Sequence, residues 1–523
     1  MEIFWNNGER ETIRGLDIMG LRQLDQKIEQ KLVVNITTIS IRARYLTLLP
    51  WIYAEFYQKE LARHGGKAAF DAEQFQGVLA RMEFAVIAAS RIHSQGTESD
   101  ANYGMIGPDL FKDELAEFLD NDRVSLDFGG RGGTSLNTYI MPCRGFGILN
   151  TDLEESSAPV SITPRGTQIF EARKNQLNSN GLKKVILEGG TLTLKIIEDD
   201  GHHVSVNHLS SNPKERDLLR RALLEPYDAN NPDVKTQYSR FAQTIRWVFE
   251  SIKKQPEQSA GNIINNHYKG IVTTQEPHLS EVTAAWGEYE LRRRCHFACE
   301  LLLSALTETL RDEMTVETVE DVLANWKNRN ASSELLDRIL STDEISFSKT
   351  LGDLKNRVPA DAFLANGVNV RQAREQSPDV RGYYALLLLL ACKNQTDSLR
   401  SKGHIQKNLE DDYMARAFEI LDEDESSVWR ILRSLLVAVI IEPHLKTSLR
   451  KLGQGQKCSL RFFPEGNVLR PTGIGVQAGF SGSRLGNVLN FLADVGYLDR
   501  NGNGRFSVSP DGEDLFQTLW GEK

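Results

Sequence analysis

The chain has 523 residues, 62 of them basic and 71 acidic, for a net charge of −9, with 40% hydrophobic and 25% charged residues. That length excludes one small module, since domains run at roughly 150 residues each, and the balance of apolar and charged residues excludes wholesale disorder. The negative total also excludes a histone-like basic coat, so any nucleic-acid contact must come from local basic patches.

Five cysteines, at 143, 295, 299, 392 and 458, are too few and too unevenly spaced for a disulfide framework, and a reducing cytoplasm is expected. The N-terminus MEIFWNNGERETIRG lacks the basic start and apolar centre of an export signal. The longest apolar runs, 383–392 and 435–441, fall well short of the roughly 20 residues that cross a bilayer. They are expected to be buried helices of a soluble protein with no membrane contact.

In chain order, the apolar residues Leu21, Leu24, Ile28 and Leu32, then Ile41, Tyr45, Leu48, Leu49 and Ile52, recur at helical steps and predict two helices broken near residues 35–38. Pro50 is expected to kink or restart the second helix, ahead of an aromatic group of Trp51, Tyr53, Phe56 and Tyr57. A third helix is expected over 72–93. Arg22, Arg42, Arg44, Arg81 and Arg91 lie along these helices where packing could bring them together. A turn at 104–108 leads to a helix near 110–119, the glycine-rich loop GGRGG at 129–133 and a further short helix. Then GFGIL at 145–149 predicts a strand, TDLEESSAP a polar loop, VSIT at 160–163 a returning strand, and PRGTQIFEARK a helix with proline in its first turn.

The middle of the chain is helical by periodicity, apart from GGTLTLKII at 189–197 and HHVSV at 202–206, which predict an isolated hairpin around EDDG. Near the C-terminus the earlier order returns. SRLGNVLNFLADVGYL at 483–498 predicts a helix stopped by Gly496 and a strand; RNGNGR at 500–505 holds two Asn-Gly pairs, a strong hairpin signal; FSVS at 506–509 is the returning strand. SITPRGTQIF at 161–170 and SVSPDGEDLF at 507–516 share serine, proline, glycine and a final phenylalanine, an internal echo that GFGIL and VGYLD extend upstream.

Both segments resemble the winged-helix domains of bacterial transcription regulators. In that family the helix before the first wing strand enters the major groove and the wing touches the adjacent backbone. The resemblance implies that Ser483, Arg484, Asn487 and Asn490 face double-stranded DNA, with Arg500, Asn503 and Arg505 on the wing. The run HLKTSLRKL at 444–452 adds Lys446, Arg450 and Lys451 as a further expected DNA-facing patch. The first copy carries Asp152, Glu154 and Glu155 in its wing loop, which repel phosphate, so that copy is expected to serve packing or protein contacts.

Other constellations carry less. Cys295 and Cys299 lie on one helical face without the second ligand pair that structural zinc needs, so they are expected in a core. Arg292, Arg293 and Arg294 splay over about 200° of a helix and are expected on a solvated face paired with Glu288 and Glu290. GGRGG lacks the Gly-Lys-Ser/Thr ending of a nucleotide loop. Asp127 has no evident partners for a metal nuclease site, and His202, His203 and His208 are expected as exposed turn histidines. No catalytic residue, metal ligand or cofactor is assigned.

The stretches GLRQLDQKIEQKL, TISIRARYLTLLPWIYAEF and EFAVIAASRIHSQGTESDANYGMIGPD resemble an uncharacterised bacterial family found near phage-defence genes. The expected fold is mostly α with small β-hairpins (α+β): a helical domain over 1–103, a winged-helix-like module over 104–175, a helical middle region with a β-hairpin over 176–445, and a second winged-helix-like module over 446–523. The expected function is that of a non-catalytic DNA-binding or assembly subunit of an anti-phage complex, with an ATPase or nuclease partner and self-association also compatible. The alternatives are a protein-interaction scaffold for an SMC-like ATPase and a metal-dependent nuclease with dispersed acids.

Overall fold

The computed structural model describes residues 17–34, 36–64, 70–93, 103–151, 158–177, 181–272, 276–313, 317–329, 334–336, 347, 349–358, 370–401, 405, 413–453 and 458–521. Helices make up 66% of it and strands 7%, so the chain is mostly helical with small antiparallel sheets. Its contacts form two units, Met1–Ile28 with Ile264–Ser481 and Glu29–Ile263 with Gly482–Lys523. This grouping differs from four consecutive segments: residues 446–481 belong to one unit and the final helix–hairpin–helix to the other.

The unit containing Ile264–Ser481 is built on two long helices, Ser280–Glu313 and Pro378–Ser401, packed along one another. Leu386, Leu387, Leu388, Leu389 and Leu390 are all buried. A helix apolar on every side has no face to give to water, so neighbours surround it. Cys295, Cys299 and Cys392 lie in this core, as the helical spacing predicts for the first two. The basic run departs from expectation. Arg292, Arg293 and Arg294 keep the glutamate partners foreseen, Glu288 for the first and Glu290 for the other two, but all three are buried rather than solvated. Arg294 also lies over the Tyr268 ring at 3.8 Å. A small sheet orders Glu317–Thr318, Val468–Pro471 and Phe462–Glu465.

In the other unit, helix Tyr45–Arg63 runs through Pro50 instead of restarting there. Burial of Leu46, Leu48 and Leu49 before the proline and of Trp51, Ile52 and Phe56 after it holds the helix. The hairpin expected at 189–206 does not form. Thr191–Thr193 is a strand but pairs with Arg123–Ser125, and Leu194–Asp200 is a helix. Thr193 caps that helix by accepting the Ile196 N–H, and Ile197 is buried, so local capping and helical spacing outweigh the β-branched composition.

The internal echo is a repeated structure. Helix Ser135–Gly145, strands Leu149–Asn150 and Ser161–Ile162, and helix Pro164–Leu177 have counterparts in helix Leu485–Asp494, strands Leu498–Arg500 and Phe506–Val508, and helix Pro510–Trp520. Gly147 and Gly496 end the first helix of each copy at φ +63° and +81°, a left-handed turn that favours glycine. The Thr163 hydroxyl donates to the Gly147 carbonyl at 2.7 Å and accepts the Gly166 N–H at 3.0 Å. Ser509 makes the same two bonds, to Gly496 at 2.7 Å and from Gly512 at 3.0 Å. A Cβ on Gly166 would lie 2.2 Å from the Ile148 carbonyl oxygen, and one on Gly512 2.1 Å from that of Tyr497, so the last helix of each copy tucks under its strand only with glycine there.

The repeat extends further upstream than the sequence suggested. Glu83 accepts the Gly133 and Ser135 N–H groups at 2.8 and 2.5 Å; Glu29 accepts the Arg484 N–H at 2.6 Å and the Ser483 hydroxyl at 2.9 Å. Each copy thus begins with a helix N-terminus closed by a buried glutamate of an earlier helix. Both copies lean on helix Pro232–Lys254, Phe146 against Phe241 in the first and Phe516 and Trp520 against Phe249 in the second.

Candidate nucleic-acid interface

The second hairpin is shaped by its turn. Asn501 accepts the backbone N–H groups of Asn503 and Arg505 on its side-chain oxygen, at 3.1 and 3.0 Å, and Gly504 takes φ +67°. Asn-Gly pairs favour such a turn because the side-chain amide substitutes for backbone partners while glycine accepts the left-handed conformation. Arg500, Asn503 and Arg505 are exposed. Among the described residues no carboxylate pairs with Arg500 or Arg505. The Arg500 guanidinium lies 3.7 Å over the Tyr103 ring.

The helix before this hairpin is placed otherwise. Asn487 donates to the Thr37 carbonyl at 2.7 Å and Asn490 to the Tyr103 hydroxyl at 3.0 Å, and the two residues are 9% and 4% exposed. Neither faces solvent, so the helix does not present them to a groove. Ser483 and Arg484 are half-buried on Glu29, the Arg484 guanidinium 3.5 Å from its carboxylate. The apolar pattern carried the warning: Leu485, Val488, Leu489, Phe491 and Leu492 cover more of the helix than one stripe, and all are buried. Lys446 and Arg450 are exposed on helix Glu442–Gly453, in the unit that does not contain the hairpin, and Lys451 is spent on the Asp17 carbonyl at 2.5 Å. Of the seven expected DNA-facing residues in the hairpin-bearing unit, only Arg500, Asn503 and Arg505 are exposed. Asp152, Glu154 and Glu155 lie outside the described residues.

Below the hairpin, two arginines from the Arg42-Ala43-Arg44 run organise the unit. Arg42 pairs with Asp494 at 2.9 Å, and its guanidinium also donates to Asn207, to the Val206 carbonyl and to the Tyr103 carbonyl. Arg44 and Arg173 both close on Glu215, at 2.9 and 2.5 Å, and none of the three side chains is more than 1% exposed. Burial alone would push the Glu215 carboxyl up. The Arg173 and Arg44 guanidinium groups override that and hold it below the ordinary glutamate value, while burial draws Arg173 down to about 10. Arg42 and Arg44 thus anchor two separate ion-pair knots and do not converge with one another, and Arg173 was not among the arginines singled out from the sequence. Arg81 instead donates to the Ile186 and Leu187 carbonyls.

The glycine-rich loop is occupied from within. The N–H groups that could cradle an anion beyond GGRGG hold Glu83, whose carboxyl burial raises above its ordinary value despite the Ser135, Gly133 and Thr134 amides. The histidines are half-buried rather than exposed. His93 and His208 stand 5.3 Å apart and His202 and His203 3.9 Å, and burial followed by neighbouring imidazoles keeps His202, His203 and His208 below the usual histidine value. Among the described residues no group of three or more His, Cys, Asp or Glu side chains converges on a point where a metal ion could sit. None of the described helices is long and apolar enough to cross a membrane.

The foot of the hairpin borders a polar cleft of about 370 Å³, lined by residues that include Arg42, Tyr103, Ser210, Asn490, Asp499 and Arg500. Sequence reasoning missed Tyr103 and Ser210, which carry no local motif. Comparison of the chain with protein-family profiles, with curated proteins and with solved structures returns no match in any of the three.

Proposed function

We propose that the chain is a non-catalytic subunit of a bacterial defence assembly that touches double-stranded DNA through the tip of its second hairpin, with any ATPase or nuclease step supplied by a partner. The observation that supports this reading is the exposed ribbon of Arg500, Asn503 and Arg505, whose arginines have no carboxylate partner among the described residues. In this reading the contact is to phosphate, because Asn487 and Asn490 are turned inward and leave the preceding helix little to offer a base edge. The setting rests on the resemblance of the N-terminal stretches alone.

Two phosphate contacts change the slope of log affinity against log salt by about 1.8. Fluorescence anisotropy with a short duplex at several salt concentrations should find that slope, and Arg500→Glu with Arg505→Glu should remove it. Unaltered duplex binding by the double variant would overturn the proposal. The inward-turned helix also favours a second reading, in which both copies are protein-docking platforms. Loss of partner capture with intact duplex binding in the same variant would select it.

A further inference from the structure

The cleft at the hairpin's foot belongs to one unit and is built, not merely left over. Tyr103 is fixed at both ends, its carbonyl by Arg42 at 3.3 Å and its hydroxyl by Asn490 at 3.0 Å. The ring so held carries the Arg500 guanidinium on its face at 3.7 Å. Arg500 is exposed and lines the cleft. A fixed aromatic ring with a planar cation upon it is a platform on which a flat, unsaturated ring system stacks.

Charge decides what sort of ring. The Arg42 charge is met by Asp494 at 2.9 Å, which leaves Arg500 and the exposed carboxylate of Asp499 as the other opposed charges lining the cleft. A phosphate seated inside would meet that carboxylate. A neutral group with hydrogen-bond donors on its edge suits the lining instead, because Asp499 accepts and the Ser210 hydroxyl can do either. The volume, about 370 Å³, lies at the small end of ligand clefts of roughly 300–1,000 Å³. We infer that the cleft formed by Tyr103, Arg500, Asp499 and Ser210 holds one unstacked nucleobase of a DNA strand end, with its phosphates outside toward the hairpin tip. In this end-bound mode the Arg500 guanidinium stacks on the base instead of meeting a phosphate, which leaves the strand's phosphate to Arg505, and Asp499 accepts from an exocyclic amino group, as an acidic side chain does from cytosine N4. This rests on the duplex-binding reading of the same hairpin and adds to it a preference for unpaired ends and for amino-bearing bases.

The test compares anisotropy titrations of the full chain with a short blunt duplex, the same duplex bearing one unpaired terminal dC, and the same bearing one unpaired dT. Stacking of one base should tighten the dC-ended duplex at least about tenfold over the blunt one, and the dT-ended duplex by distinctly less. Tyr103→Ala should bring the dC-to-blunt ratio close to one, Tyr103→Phe should keep it, and Asp499→Asn should erase the difference between dC and dT. If blunt duplex binds through Arg500 and Arg505 and every ratio stays near one, the nucleobase cleft is wrong and the hairpin proposal stands. If the blunt duplex does not bind but a short single strand does, with a dC preference lost in Asp499→Asn, the cleft stands and the duplex proposal falls. Absence of binding to all of these DNAs overturns both.

Discussion

Replacing Glu215 by glutamine tests the account of how the hairpin-bearing unit is held. The substitution keeps shape and volume but removes the one carboxylate that, among the described residues, pairs with Arg44 and Arg173, at 2.9 and 2.5 Å, in a place where all three side chains are at most 1% exposed. The backbone carbonyls of His202, Ser205 and His203 still accept from the two guanidiniums, but they cannot neutralise two charges. Removing one partner of a buried ion pair costs about 3–5 kcal/mol, because a charge is left in a medium that solvates it poorly. For a unit of this size that corresponds to a fall in melting temperature of roughly 6–20 °C. Differential scanning calorimetry measures it, and hydrogen exchange in helix Pro213–Leu224 assigns the loss to this unit. Glu188→Gln is the control, since its pair with Lys59 spans 3.5 Å with side chains 50% and 40% exposed, and such pairs contribute about 0–1 kcal/mol. A Glu215→Gln protein melting within about 2 °C of the parent would refute the reasoning. The sign with pH follows as well. Glu215 is held below its ordinary 4.5, so its stabilisation is complete above that pH and fades as pH falls below it.

Two further outcomes follow. Gly166→Ala and Gly512→Ala should each destabilise by about 2–4 kcal/mol in urea titrations, since the added carbon would lie 2.2 and 2.1 Å from a backbone oxygen. Gly502→Ala, which meets nothing within 4 Å, should stay within about 0.5 kcal/mol of the parent, and equal effects at the three sites would remove the claim that the repeat depends on close backbone approach. In the other unit His444 accepts the Arg461 N–H on Nε2 and faces the Ile18 carbonyl with Nδ1, and burial draws it from 6.5 down to about 4. The unfolded chain therefore takes up the proton first, and stability present above pH 6.5 should be lost by about 3 kcal/mol as pH falls toward 4. Urea midpoints across that window should flatten in His444→Gln; identical pH slopes in the two proteins would exclude His444 as the cause.

Much of the local structure was legible. Pro164 and Pro510 at helix starts, the Asn-Gly turn and the shared Ser/Thr-Pro-x-Gly string announced two helix–strand–strand–helix copies, and the hydrogen bonds of Thr163 and Ser509 show why that string recurs. The glutamate caps were not legible. Glu83 lies about fifty positions before the loop it closes and Glu29 more than four hundred before Arg484, and a lone acid within a helical pattern gives no sign of such a partner. The same holds for the site. The turn residues Arg500, Asn503 and Arg505 were found from turn chemistry, whereas Tyr103 entered only through its contacts with Arg42, Asn490 and Arg500.

By itself the sequence determined which segments become helices and turns, because periodicity, caps and glycine conformation act over a few neighbouring residues. It could not determine which polar side chains meet water. Asn487 finds its partner 450 positions away in Thr37, and Arg292 to Arg294 are covered although their glutamates lie within one helical turn. Exposure is fixed by what packs on a surface, and that depends on contacts between distant parts of the chain, so only the tertiary structure separated the exposed hairpin from the buried helix beside it.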